Sequence, residues 1–128
     1  MRRRAWLAPL LPAVLAACAG VTDPGLVSLT GCWNEIGSVP GSALVLQLTD
    51  DQRTINGTGH FAIEAGASGN LTVTGTRTGS QLDLDLFYDI GTHRSFLAIV
   101  RSKDSFDAYE RDQQQNLATT PISFQRCK

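Results

Sequence analysis

The chain has 128 residues, 42% of them hydrophobic and 18% charged, with a net charge of −1. That balance suits one globular domain and excludes a collagenous, coiled-coil or wholly disordered chain. It gives no electrostatic reason to expect a nucleic acid or an acidic substrate as partner, and 12 glycines against 7% aromatic residues point to many turns.

Residues 1–17 read as a signal peptide. Arg2, Arg3 and Arg4 form a basic start, and Ala5 to Ala16 form an apolar run interrupted by Pro9 and Pro12. At about 12 residues the run is shorter than the roughly 20 that a membrane-spanning helix needs. It ends in Leu15-Ala16-Ala17-Cys18, which resembles the lipobox of bacterial lipoproteins. The resemblance implies that the chain is cut before Cys18, that Cys18 carries a thioether-linked diacylglycerol, and that the protein is lipid-anchored in the bacterial cell envelope. Ala19, standing where an aspartate signals inner-membrane retention, makes sorting to the outer membrane, facing the periplasm, the secondary expectation.

Removing the first 17 of the 128 residues leaves 111, and takes away three of the eleven basic residues, so that eight face twelve carboxylates, a net charge of −4. Such a chain has no electrostatic attraction to anionic lipid, so the acyl anchor is what holds it at the membrane. With Cys18 modified, Cys32 and Cys127 remain as an even pair in an oxidising compartment, where a disulfide is the default. Two cysteines and two scattered histidines, His60 and His93, lack the short spacings of a metal site, so no metal and no cofactor is expected.

Residues 18–28 form the lipidated cysteine and a small, turn-prone stretch read as a flexible spacer, with the domain proper at 29–128. Period-two alternation dominates that domain: Leu44, Leu46 and Leu48; Leu71 and Val73; Leu82, Leu84 and Leu86, each with polar or outward neighbours between. Breakers divide it into eight predicted strands at 29–36, 42–49, 54–64, 70–77, 81–88, 93–102, 105–111 and 120–127. The connections are short, as a meander requires. The predicted fold is therefore all-β, an eight-stranded antiparallel up-and-down barrel, since closure removes the edges that an open sheet would expose. Closure makes the first and last strands neighbours. If Trp33 and Phe124 point inward, parity turns both Cys32 and Cys127 outward, so a disulfide between them would staple the seam.

Gly31-Cys32-Trp33 on the opening strand, with Arg126 on the closing one, resembles the calycin barrels, the lipocalins and avidins. The resemblance implies a plug in which Gly31 and Trp33 close one end and Arg126 packs across the tryptophan. Leu29 to Ser38 is also similar to the avidin opening but one residue shorter, and the mature chain keeps only Trp33, which argues against a biotin site. A small lipidated, disulfide-stapled domain further resembles the bacterial envelope inhibitors of metalloproteases and of lysozyme.

No catalytic constellation assembles: there is no G-x-S-x-G, no H-E-x-x-H and no phosphate-cradling loop, and Asp83, Asp85 and Asp89 fall on the outer face by parity. A non-enzymatic protein is expected. The turns at 37–41, 65–69, 89–92 and 112–119 gather at the end away from the tether and form the expected mouth. Inward parity brings Glu35, Tyr88, Arg94 and Glu110 to its rim, above Leu44, Ile63, Leu71 and Phe96, the pattern of a small-molecule site. The opposite phase for the sixth strand, with Arg94 outward, stays open. Inward Gly31, Gly57, Gly59, Gly75 and Ala98 either leave cavity volume or permit the bends of a small barrel. The expected function is a binding module for a small apolar ligand or an envelope protein; the alternative is an inhibitor of a periplasmic or secreted hydrolase. The oligomeric state is open.

Overall fold

The computed structural model describes residues 23–36, 43–63 and 66–128. The signal peptide, Cys18, the start of the spacer, the 37–41 turn and residue 65 of the next turn lie outside the described residues. Eight strands follow one another: β1 (Gly31–Ile36), β2 (Ala43–Asp50), β3 (Thr54–Ala62), β4 (Ser68–Thr78), β5 (Gln81–Tyr88), β6 (His93–Ser102), β7 (Ser105–Arg111) and β8 (Ile122–Arg126). Each pairs antiparallel with the next, and β1 pairs with β8, so the meander closes into a barrel as the alternation requires. At the seam Trp33 stands opposite Arg126 and Glu35 opposite Phe124. The disulfide joins Cys32 to Cys127, just past β8, across a Cα separation of 5.3 Å.

The interior is filled by the inward residues of every strand, among them Trp33, Leu46, Leu48, Ile55, Val73, Leu82, Leu84, Leu86, Phe96, Val100 and Phe106. Ala98 is wholly buried among them. β6 takes the phase that carries Arg94 inward with Phe96, Ala98 and Val100. The inward glycines are places of close approach. A Cβ on Gly57 would stand 2.2 Å from the Gln47 carbonyl oxygen, and one on Gly75 2.4 Å from that of Asp83. The bend reading of these glycines therefore holds at both positions, because neighbouring backbone occupies the space.

Two expectations are corrected. Ile63, expected inward beneath the mouth, lies beyond the end of β3 and is 44% exposed. Its N–H donates to Ala67 and its carbonyl accepts from Gly66, so the turn starts one residue before parity would have carried the side chain inside. Phe61 fills that level instead, edge-on to Tyr88 at 5.1 Å. The spacer, expected to run to Ser28, gives way by Asp23 to docked chain. Pro24–Leu26 form a 3₁₀ turn capped by the Asp23 side chain, and Val27 and Leu29 are buried in the core. The reason is local: Val27 and Leu29 alternate inward like strand residues, and burying each stabilises by roughly 1.5 to 3 kcal/mol.

Candidate functional site

The end of the barrel at which β1 begins is closed by three layers. Trp33 packs edge-on to Phe106 at 4.9 Å, and its Nε1–H donates to the Leu29 carbonyl at 2.8 Å. Arg126 lies over the Trp33 ring, 4.5 Å from its centroid. Its guanidinium donates to the carbonyls of Ser28, Thr30 and Lys103, tying three chain segments together. Gly31 sits at φ +131°, a conformation that L side chains rarely adopt, and a Cβ there would come within 3.2 Å of Arg126 Nη1. The G-x-W pattern thus has a backbone cause.

Beside this plug lies an ion pair that sequence reading passed over. Arg77 and Asp50 pair with both side chains at 0% exposure. Arg77 also donates to the carbonyls of Gly79 at 2.7 Å and Pro24 at 3.1 Å, while Asp50 accepts from the N–H groups of Leu29 and Gln52. Buried charges survive only when paired and hydrogen-bonded, and this pair fixes the docked segment in the process. Parity contained the signal: Arg77 continues the inward series of Leu71, Val73 and Gly75, and Asp50 that of Leu44, Leu46 and Leu48.

At the mouth, Arg94 makes a bidentate pair with Glu110, Nε to Oε2 at 2.9 Å and Nη2 to Oε1 at 2.7 Å. It also donates to the Tyr88 hydroxyl at 3.3 Å and sits over the Phe96 ring at 5.0 Å. The hydrogen bonds that Glu110 accepts from Arg94 hold its carboxyl below its ordinary range, and the same bonds raise the guanidinium further. Three of the four expected rim residues are therefore brought together, and their polar groups satisfy one another. Glu35 stands apart: it is half-buried on β1, and no hydrogen bond joins it to this cluster among the described residues. The 112–119 connection is folded on itself. Asp112 Oδ1 accepts from the N–H groups of Gln114 and Asn116, and Ala118 N–H donates to the Glu110 carbonyl at 2.8 Å, leaving Leu117 42% exposed.

The outer wall carries a second concave feature, away from the expected mouth. A groove of about 540 Å³ crosses β2 to β5, lined by Val45, Gln47, Thr58, Gly59, His60, Asn70, Leu71, Thr72, Phe87 and Asp89. Its floor is shallow: Thr58 pairs with Thr72 across the strands, and Gly59, which has no side chain, stands opposite Leu71 in the register. Phe87, 45% exposed, forms one wall. One face of its ring is stacked on His93 at 4.6 Å and 5°. His93 Nε2 lies 3.0 Å from Asp85 Oδ1, and Asp85 accepts from Ser95 Oγ at 2.6 Å. The Ser95 hydrogen bond, and after it that of His93, keep the Asp85 carboxyl below its ordinary range. Ser95, Asp85 and His93 thus buttress an aromatic side chain that faces water. Asp83, Asp85 and Asp89 lie on the outer wall as parity requires. An outward Phe87 between inward Leu86 and Tyr88, an aromatic out of phase on a buried strand, was the available signal.

Among the described residues no cluster of histidine, cysteine, aspartate and glutamate is placed to hold a metal ion. No family model matches the chain, and no curated protein or solved structure matches it.

Proposed function

We propose that this chain is a lipid-anchored, non-enzymatic binding module of the bacterial cell envelope that holds a small, mainly apolar ligand in its outer-wall groove. The observation that carries the reading is the buttressed Phe87. An exposed phenyl ring gains little for folding, yet three polar side chains are arranged in series behind it. Pre-set aromatic walls of this kind lower the ordering cost of binding. The mouth is the weaker candidate, because Arg94, Glu110 and Tyr88 already bond to one another. The envelope address rests on the basic start, the Leu15-Ala16-Ala17-Cys18 sequence and the pairing of the other two cysteines, which suits an oxidising compartment. The calycin resemblance is supported by the eight-stranded closed barrel and by Arg126 over Trp33.

The groove is tested by titrating the full-length protein with 2-phenylethanol and following the Thr58 and Thr72 methyl and Phe87 ring resonances. Saturable shifts that Phe87→Ser abolishes support the reading; shifts confined to the mouth, or none, overturn it. The address is tested by intact mass of the membrane fraction with and without Cys18→Ser, where an unlipidated product cut at another residue defeats it. A second reading, inhibition of a periplasmic or secreted hydrolase, draws on the rigid 112–119 loop with Leu117 exposed. Shortening that loop should then abolish capture of the hydrolase.

A further inference from the structure

The groove has a chemical bias beyond its apolar floor. Among the described residues no lysine or arginine lines it, and Asp89 is the one carboxylate that does. That carboxylate is fixed in place. Its Oδ2 accepts from the Asn70 N–H at 2.9 Å, and the Asp89 N–H donates to the Asn70 carbonyl at 2.9 Å. It lies over Gly69, where a Cβ would stand 2.5 Å from Oδ1, so the absent side chain makes its room. Among the described residues no hydrogen bond or ion pair takes up Oδ1.

Two neighbours lean the same way. His60 Nδ1 lies 3.3 Å from Asn70 Oδ1, an oxygen that can only accept. A neutral ring that donates from Nδ1 to this oxygen leaves Nε2 as an acceptor. Phe87 has one ring face against His93 and lines the groove, and the negative face of a phenyl ring attracts cations. A carboxylate, an imidazole acceptor and an aromatic face around one apolar cleft favour a donor with positive charge, and they repel an anion.

We propose that the groove selects a small organic cation, an apolar body of one or two rings' size bearing a protonated amine. The body rests on Val45, Phe87 and the threonine methyls; the amine meets Asp89 and the acceptor nitrogen of His60. This proposal rests on the groove being the binding site, and it adds the charge of the ligand to it.

The test compares three probes of one shape on the full-length protein: 2-phenylethylamine, 2-phenylethanol and 3-phenylpropanoate, read by the same Thr58, Thr72 and Phe87 resonances. The amine should bind about fivefold more tightly than the alcohol at low salt, the size of one partly exposed charge contact together with a cation on an aromatic face, and the carboxylate more weakly than either. The amine's margin should shrink as ionic strength rises, while the alcohol is unaffected. Asp89→Asn, which keeps an acceptor for the Asn70 N–H, should erase the margin and leave the alcohol unchanged. Equal binding of amine and alcohol, a margin indifferent to salt, or equal weakening of both by Asp89→Asn overturns the cation proposal while leaving the groove standing. If no probe moves the groove resonances, the groove reading falls, and this proposal with it.

Discussion

The two ends of the barrel are built from the same parts. Each sets an arginine over an aromatic ring, Arg126 over Trp33 at 4.5 Å and Arg94 over Phe96 at 5.0 Å. Each also pairs an inward arginine with a carboxylate, Arg77 with Asp50 and Arg94 with Glu110. They differ in water. Asp50 and Arg77 are wholly buried beneath docked residues 24–29, whereas Arg94 and Glu110 keep 31% and 39% exposure. The comparison teaches that burial, more than the identity of the pair, sets what such a contact contributes, because solvent screens one pair and leaves the other at full strength. The Trp33 end is accordingly the structural end.

The largest effect should come from the plug. Trp33→Ala removes an indole with 0% exposure that touches Phe106, Arg126 and the Leu29 carbonyl. Denaturant unfolding should show a loss of about 3 to 5 kcal/mol. A loss below about 1 kcal/mol would mean that the Trp33 end is not where the fold is secured.

A matched pair of substitutions sharpens the comparison more directly. Arg77→Met strands the Asp50 carboxylate in the interior and should cost about 3 to 4 kcal/mol. Arg94→Met leaves Glu110 within reach of water and should cost about 1 kcal/mol. Equal costs in equilibrium unfolding would sink the argument from burial.

The closed meander was legible because the alternation is regular: all eight strands lie within two residues of the expected limits at both ends, and the seam followed from counting parity on Trp33 and Phe124. The mouth cluster was legible for the same reason, since Tyr88, Arg94 and Glu110 lie on inward positions of consecutive strands. What escaped depends on where strands stop and on the third dimension of the wall. Ile63 obeys parity but falls past the last ladder bond of β3. Asp50 lies one residue past the predicted end of the second strand at 49, and continues β2 by one inward residue. The groove is assembled from four strands whose outward residues are unremarkable one by one, and only the register that sets Thr58 beside Thr72, with Phe87 next across, makes it a cleft.

The smallest effect is at the mouth and depends on pH. The hydrogen bonds from Arg94 lower the Glu110 pKa in the folded state relative to the free side chain. A depressed carboxyl pKa contributes stability above the unfolded value, about 4.3 for glutamate, and loses it as pH falls through the lower folded value. The difference in unfolding free energy between the native protein and Glu110→Gln should therefore be constant at neutral pH and shrink below about pH 4. With 39% of the Glu110 side chain exposed, solvent screening keeps the plateau under about 1 kcal/mol. Taking the difference between the two proteins at each pH also cancels Asp85, which titrates in the same acid window with its own carboxyl held low by Ser95 and His93. A difference that grows toward acid pH would reverse the sign of the linkage. It would mean that the carboxylate is strained by its place at the rim, and that the bidentate contact with Arg94 does not stabilise the mouth.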